Sequence, residues 1–345
     1  MDGSPYLSVI VPVRDGGAAF RRCLAALEPS IGHDCELIVV DDGSTDDSGA
    51  RARAAGARVI RSPRARGPGA ARNLGAESAR GEWLLFLDAD CEARPDTLAT
   101  AMDAARAGDG EAADAVFGSY DDDPAATGLV ARYKNLHHHY VHQRSAASAR
   151  SFWAGCGAVR RSAFLAVGGF DEVRYPRPSI EDIEMGYRLT DAGYRIRFRP
   201  DLMVKHLKAW TLRGLVRSDV LDRGVPWTQL VLGRGGIPDE LNVRRRERIS
   251  VAAVWVLAAG LVAAPWRPVT LIPAAACGIW LLAAHVDLYR FFARRGGALF
   301  ALGSIALHWL YLGYCGVAFL LGSLRHIRSR GRAAAARGTV TRSGG

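Results

Sequence analysis

The chain lacks the cysteine patterns of disulfide-bonded and zinc-binding domains. Its 345 residues include six cysteines, and no two of them form a CxxC pair. No secretory signal peptide precedes the first apolar run, so we expect free thiols in a reducing cytosol. An internal repeat is also absent, so a repeat architecture is not expected.

A nucleic-acid-binding signature is missing as well, although the formal net charge is +10. We find neither a basic strand interleaved with aromatic residues nor a nucleic-acid-binding helix motif. The basic residues, mostly arginines, flank apolar runs or follow glycine turns. This placement favours phosphate-bearing ligands and lipid headgroups over nucleic acid as partners.

Long apolar runs are scarce before about residue 245 and frequent after it. The composition therefore predicts an α/β domain over residues 1–240, membrane-associated helices over 241–326 and a basic, disordered tail over 327–345. Two or three membrane crossings are predicted. At 1.5 Å per residue the apolar segments measure about 24, 27 and 40 Å, against a hydrocarbon core of about 30 Å. These segments are 249–264, 269–286 and 298–324.

The charges that flank these segments leave the membrane topology open. Basic clusters at 244–248, 290–295 and 325–332 all favour the cytoplasmic side. Three crossings would place the last basic cluster on the extracytoplasmic side. Either the third segment is therefore partly re-entrant or interfacial, or the preference of basic residues for the cytoplasmic side fails here. We expect attachment to the inner (cytoplasmic) membrane with the N-terminal domain facing the cytoplasm. The alternative is that these are buried helices of a soluble domain.

A buried strand that ends in two carboxylates is the strongest local signal that is present. Trp83–Leu87 is apolar at every position, as in a strand covered on both faces of a parallel sheet. Asp88 and Asp90 follow it, and ligands of open α/β sheets bind outside the carboxyl ends of the strands. Paired carboxylates repel each other unless a cation or protons intervene, and hard divalent cations prefer oxygen ligands. The pair predicts a metal-held nucleotide diphosphate; capping of the next helix is the alternative.

Strands and helices alternate along the first part of the chain, which predicts a mostly parallel central sheet with helices on both faces. The apolar run at 36–40 ends in Asp41 and Asp42, either of which could accept from a base or a ribose hydroxyl. After the third predicted strand, Arg66 and Gly67 offer a cation and a backbone amide for phosphates. Ordinary turn chemistry is the alternative for each of these positions.

Four motifs, in order along the chain, resemble the signature of family 2 glycosyltransferases of the GT-A fold, a nucleotide-sugar-binding α/β fold. The resemblance covers roughly residues 5–210. It implies a nucleotide-sugar donor and an inverting displacement at the anomeric carbon of the sugar. The motifs are Ser8–Pro12, Val39–Asp46, Ala71–Gly75 and Phe86–Asp90.

The resemblance also assigns roles to single residues. Pro12 would lie beside the base, and Asp42 or Asp41 would bind the uracil-like edge or the ribose. Asp88 and Asp90 form the DxD motif, with Asp90 as the direct ligand of Mg²⁺ or Mn²⁺. In many members of the family a histidine after the last strand completes the metal site, and His206 matches it. The further members of the donor pocket are Asp15, Arg66, Gly67, Asn73 and Asp88.

The acceptor side needs a general base, because an acceptor hydroxyl must lose its proton as it attacks the sugar carbon. The family's Glu-Asp motif matches Glu181 and Asp182, and we assign Asp182 as the base with Glu181 as helper or substitute. Helix capping is the alternative. The Gln-x-x-Arg-Trp motif of processive relatives is absent, since Gln229 is followed by Leu230, and this favours transfer of a single sugar.

Two further polar clusters are interpreted as structural. Asp121–Asp123 is expected to be a solvated acidic turn. His137–His139 with His142 would point in different directions on a helix, so no preformed metal site is expected there.

Together these features predict a membrane-associated inverting glycosyltransferase. It would move one sugar from a nucleotide-sugar to an acceptor hydroxyl, with a lipid or lipid-linked glycan as the candidate acceptor. One alternative is a membrane scaffold that binds nucleotide with little or no turnover. The other is a nucleotidyltransferase on a similar fold, although the glycine- and arginine-rich loop expected after its first strand is missing.

Overall fold

The computed structural model describes residues 4–62, 64–107, 113–235 and 244–340, with side chains as far as residue 330. The chain divides into two compact units, Met1–Ala209 and Trp210–Gly345. By packing, residues 210–233 therefore fall with the C-terminal helices and not with the domain predicted to end at residue 240. The predicted tail lies partly in the last described helix, and 341–345 lie outside the described residues.

A nine-stranded sheet forms the centre of the first unit, in the order β3-β2-β1-β4-β8-β6-β9-β5, with β7 paired to β9. The strands are β1 Leu7–Val13, β2 Cys35–Asp41, β3 Arg58–Arg61, β4 Trp83–Leu87, β5 Cys91–Ala93, β6 Ala115–Tyr120, β7 Ser148–Ala149, β8 Cys156–Arg160 and β9 Ile196–His206. The helices are α1 Gly17–Leu27, α2 Ser48–Ala54, α3 Pro68–Ser78, α4 Thr97–Arg106, α5 Leu129–Gln143, α6 Arg161–Ala166 and α7 Glu181–Asp191.

The predicted α/β fold is confirmed, and its sheet is mixed. Strands β3, β2, β1 and β4 run parallel. Beyond them β4 pairs antiparallel with β8, β8 antiparallel with β6, and β6 parallel with β9. The parallel half is the one that the continuous apolar runs indicated, because strands covered on both faces have no alternation of polar residues.

Helices cover both faces of this sheet, as predicted. On one face Val9 and Val11 pack with Phe20 of α1 and Leu98 of α4. On the other face Ile10, which points the opposite way, packs in a cluster with helix residues, including Ala76 of α3 and Met185 of α7. Because β1, β2 and β4 run parallel, their carboxyl ends lie at the same edge of the sheet, and the polar residues that follow these strands are brought together there.

The second unit is helical among its described residues. Its elements are α8 Leu212–Arg217, a π-helical segment Ser218–Gly224, α9 Val225–Gly233, α10 Arg245–Ala263, a 3₁₀ turn Pro268–Thr270, α11 Leu271–Ala284 and α12 Val286–Val340. Helix α12 is interrupted at Gly297, whose φ of 80° is the left-handed region that favours glycine. Val220 and Val225 pack against Tyr314 and Ala318 of α12.

Among the described residues one helix, Val286–Arg330, is long enough to cross a membrane and contains an 18-residue stretch with a mean hydropathy of 1.6. Pro268–Ala284 is a shorter apolar helix. The three predicted apolar segments fall in α10, α11 and α12. The number of crossings stays a prediction.

Candidate active site

Asp88 and Asp90 lie directly after β4, at the sheet edge where β1 and β2 also end. The Oδ1 atom of Asp88 accepts a hydrogen bond from Nη2 of Arg72 at 2.5 Å. Burial raises the pKa of Asp88, and the charge of Arg72 acts against this rise. The first carboxylate of the DxD motif is therefore engaged by a cation of the protein itself.

Asp90 lies beside His206, with 3.7 Å between Oδ2 and the imidazole Nε2. The two meet because Cys91 at the start of β5 pairs with His206 at the end of β9. The His206 ring stacks on Tyr120, with 4.1 Å between ring centroids, which fixes the plane of the imidazole. Burial acts to raise the pKa of Asp90, but the hydrogen bond and charge of His206 outweigh it and hold that pKa below its ordinary value.

Arg72 connects the two carboxylate motifs, and the sequence interpretation overlooked it. Its side chain is buried on α3, and besides Asp88 it donates to Glu181 Oε1 from Nη1 at 3.1 Å. The sequence did carry a signal, because Arg72 is an arginine among small residues that share the buried side of a helix, Ala71, Gly75 and Ala76. A buried arginine needs carboxylate partners, since an unpaired charge in the interior is costly.

Asp182 occupies the first turn of α7, next to Glu181. Its Oδ1 accepts from the backbone amide of Ile183 at 2.8 Å, and its Oδ2 accepts from the amide of Ala154 at 3.0 Å, just before β8. Helix capping therefore accounts for only one of the two oxygens. Burial, together with the charge of Glu181, raises the pKa of Asp182 to about 6.

The sequence profile described as glycosyl transferase family 2 matches residues 8–168. The match covers a little under half of the chain, and over this region the chain is similar to the family. The matched region contains the DxD carboxylates and Arg72, whereas Glu181, Asp182 and His206 lie beyond it.

Among curated proteins similar to this chain, the pre-mycofactocin glycosyltransferase of Mycobacterium tuberculosis is 31% identical over 236 residues, covering 60% of this chain and 45% of the relative. The chain thus spans less than half the length of that relative. The uncharacterized glycosyltransferase YibD of Escherichia coli is 36% identical over 107 residues, covering 30% of this chain and 31% of the relative.

Solved structures of glycosyltransferases are also similar to this chain. The mannosyltransferase PcManGT of Pyrobaculum calidifontis, in complex with GDP-Man and Mn²⁺, has a TM-score of 0.49 at 19% identity, covering 92% of this chain and 88% of that one. Glucosyl-3-phosphoglycerate synthase of Mycobacterium tuberculosis, in complex with Mn²⁺, UDP and its product, has a TM-score of 0.49 at 22% identity, covering 68% and 81%.

The predicted base-binding residues order the loops after the strands. Asp42 accepts from the backbone amides of Arg66 and Gly67, both at 2.9 Å. Asp41 accepts from the amide of Ser44 at 2.8 Å. Asp15, with a φ of 50°, accepts from the amide of Thr45 at 2.7 Å. These carboxylates shape the loops at the predicted donor edge, and their contacts with a nucleotide stay a prediction.

The other predicted donor residues lie around α3. Pro12 is half-buried in β1, opposite Val40. The Arg66 side chain pairs with Glu172. A side chain at Gly67 would meet the backbone carbonyl of Pro176 at 2.5 Å, so only glycine fits. Asn73 exchanges two hydrogen bonds with the backbone of Phe170, at 2.8 and 2.9 Å, and therefore holds the 168–172 loop.

The two clusters interpreted as structural have partners within the protein. Lys205 pairs with Asp121 and Asp123. Nδ1 of His139 and of His142 lie 2.8 and 3.2 Å from backbone carbonyls of β6, while the ring of His138 lies against Tyr120. His138 and His142 thus belong to the layer of aromatic rings, with Tyr120 and Trp153, that also supports His206.

Proposed function

We propose that this protein is a membrane-associated, metal-dependent inverting glycosyltransferase that moves one sugar from a nucleotide-sugar to an acceptor hydroxyl. The observation that carries the proposal is the buried bridge from Asp88 through Arg72 to Glu181, with 2.5 and 3.1 Å contacts. The bridge joins the strand end assigned to the donor diphosphate to the helix that carries Asp182. A displacement needs a leaving-group site and a base in one cleft.

The donor set at Asp90 and His206 fits a divalent ion. A carboxylate oxygen and an imidazole nitrogen face each other at 3.7 Å, and both are ligands of Mn²⁺, whereas Mg²⁺ favours oxygen ligands. We therefore favour Mn²⁺ over Mg²⁺, with Asp88 kept in position by Arg72. When bound, the ion would neutralise the charge that develops on the departing diphosphate.

Asp182 takes the proton of the acceptor hydroxyl in this proposal. The acceptor oxygen forms a bond to the anomeric carbon on the face opposite the diphosphate, the bond from that carbon to the diphosphate oxygen breaks, and the configuration inverts. The proton moves to a carboxylate oxygen of Asp182. A pKa of about 6 suits this role, because a base near the operating pH is ionised yet holds a proton well.

The pH dependence of transfer follows from this assignment. Only the ionised carboxylate accepts a proton, and the pKa of Asp182 is raised to about 6, so kcat/KM should be flat above pH 7 and fall about tenfold per unit below 6. Initial rates between pH 5 and 8 measure this, with the nucleotide dissociation constant at each pH as the control. A rate that stays flat down to pH 5 would contradict the role of Asp182.

Membrane association is supported by apolar side chains that the helices of the second unit leave exposed. Val262, Ile272 and Leu299 are 69%, 71% and 87% exposed. Core helices of a soluble domain would bury such residues, so the alternative of a soluble helical domain is disfavoured. We propose attachment to the inner membrane with the catalytic unit in the cytoplasm, and a lipid or lipid-linked acceptor.

The experiment that tests the proposal supplies labelled nucleotide-sugars to membranes with and without the protein and extracts the lipids. We expect label in a protein-dependent lipid fraction, because the acceptor is proposed to be held in the bilayer. Membranes that carry Asp182→Asn are the control for enzymatic origin. Label only in water-soluble product would refute the lipid acceptor, and nucleotide binding without any transfer would favour the scaffold alternative.

A further inference from the structure

Three ligand-type side chains converge inside the second unit, among apolar helices. They are Glu247 in the first turn of α10, His285 at the end of α11 and His308 in α12, and their ligand atoms all lie within 4.8 Å of one another. His285 and His308 are 2% and 1% exposed. Buried ionisable groups in membrane-associated helices are costly and therefore mark a function or a paired network.

Glu247 and His308 are each oriented by a neighbouring side chain. Arg246 donates to Oε1 of Glu247 at 2.9 Å, which leaves Oε2 facing Nε2 of His285 at 3.8 Å. Tyr289 places its hydroxyl 2.9 Å from Nδ1 of His308. Such outer contacts fix the ring plane and the carboxylate orientation in metal sites.

Two hydroxyls add to the polar character of this pocket. Ser250 Oγ lies 2.9 Å from Nε2 of His285. Ser304, one helical turn before His308, is fully buried, and its Oγ has no hydrogen-bond partner among the described residues. A buried hydroxyl without a partner is costly, and its spacing from His308 puts it on the same face of α12, where a further polar species would satisfy it.

We propose that Glu247, His285 and His308 bind a divalent transition-metal ion, and we infer zinc from the ligand types. Two imidazoles and one carboxylate form a zinc ligand set with one position left for a water or hydroxyl. Tetrahedral bonds of about 2.0–2.1 Å place ligand atoms roughly 3.3 Å apart. The 3.8 Å between Glu247 and His285 is close to this spacing, and side-chain rotation closes the rest while the Ser250 hydrogen bond is exchanged for the ion.

The ion would cross-link three helical segments of the second unit. Its ligands come from α10, from the α11–α12 junction and from α12, so binding to the folded unit alone would stabilise that unit. The site differs from the one assigned to Asp90 and His206 in its ligand residues and in the unit that carries it. Its test therefore does not depend on glycosyl transfer.

The test measures zinc binding by the full-length protein in detergent. The protein is first stripped of metal with a chelator, and zinc is then added back. The comparison is between the unchanged protein, Asp90→Asn, the double variant His285→Asn/His308→Asn, and His326→Asn as a matched control on α12. We expect the unchanged protein, Asp90→Asn and His326→Asn each to retain about one zinc that survives dialysis and raises the melting temperature. The double variant should lose both the zinc and the thermal shift.

Glu247→Gln keeps the shape of the side chain and removes its charge, so it serves if the double variant fails to fold. We expect it to bind zinc at least tenfold more weakly while its melting temperature without metal stays near that of the unchanged protein. The proposal is overturned if folded Asp90→Asn protein retains no zinc, or if His326→Asn loses as much as the double variant. The three side chains would then form a hydrogen-bonded network only.

Discussion

Asp182→Asn should lower the turnover number by about 10²- to 10⁴-fold, the usual contribution of a general base. The substitution is nearly isosteric: the amide oxygen of asparagine can still accept from the Ala154 amide that lies 3.0 Å from Oδ2 in the carboxylate, and only the bond from the Ile183 amide to Oδ1 is lost. The fold and the nucleotide site should therefore survive while proton transfer is lost. Initial-rate measurements with calorimetric titration of the nucleotide diphosphate separate the two effects.

The matched control is Asp191→Asn, at the other end of α7, where the carboxylate is exposed and 3.5 Å from Arg150. It should leave turnover within about twofold, since an exposed ion pair contributes little. If Asp182→Asn retains its turnover and Glu181→Gln loses it, the base is the neighbouring carboxylate. Unchanged turnover in both variants would exclude a base in this motif.

The parallel half of the fold could be predicted because its determinants are local. Trp83–Leu87 reads as a buried strand by itself, and the carboxylates after it need no other part of the chain to attract notice. The acceptor half was harder, since β6, β8 and β9 combine parallel and antiparallel neighbours that come from distant parts of the sequence. Local periodicity carries no information about which strands pair.

The residues of the candidate site likewise divide into those that local motifs identify and those that only tertiary contacts identify. Asp88, Asp90, Asp182 and His206 were named from motifs, and the structure brings Asp90 beside His206 as the metal assignment requires. Arg72 was overlooked because its meaning depends on two partners, 16 and 109 residues away. The small residues beside it on α3 indicate a buried side of the helix, but only the tertiary structure shows which carboxylates the guanidinium meets.

Arg72→Met should destabilise the first unit by about 3–5 kcal/mol, the cost of removing one partner from a buried ion pair. The guanidinium contacts Asp88 and Glu181, whose side chains are 31% and 6% exposed, and methionine would leave both carboxylates without it. Burial already raises the pKa of Asp88 against the opposing charge of Arg72, so its pKa should rise further in the variant. Thermal melts at pH 7 and pH 5 measure the loss of stability and its dependence on protonation.

The direction of the pH effect distinguishes a charge effect from a packing effect. Protonating Asp88 removes one of the two stranded charges, so the difference between Arg72→Met and the unchanged protein should shrink as pH falls from 7 to 5. Arg80→Met is the control, because Arg80 is 65% exposed and Glu36 keeps its contacts with Arg58 and Ser8 when the Arg80 side chain is removed. It should cost less than about 1 kcal/mol. If Arg72→Met loses the same amount of unfolding free energy at both pH values, Arg72 stabilises the unit by packing and not by its charge. The contacts of Arg72 with Asp88 and Glu181 would then have no role in holding the carboxylate at the proposed diphosphate site next to the base.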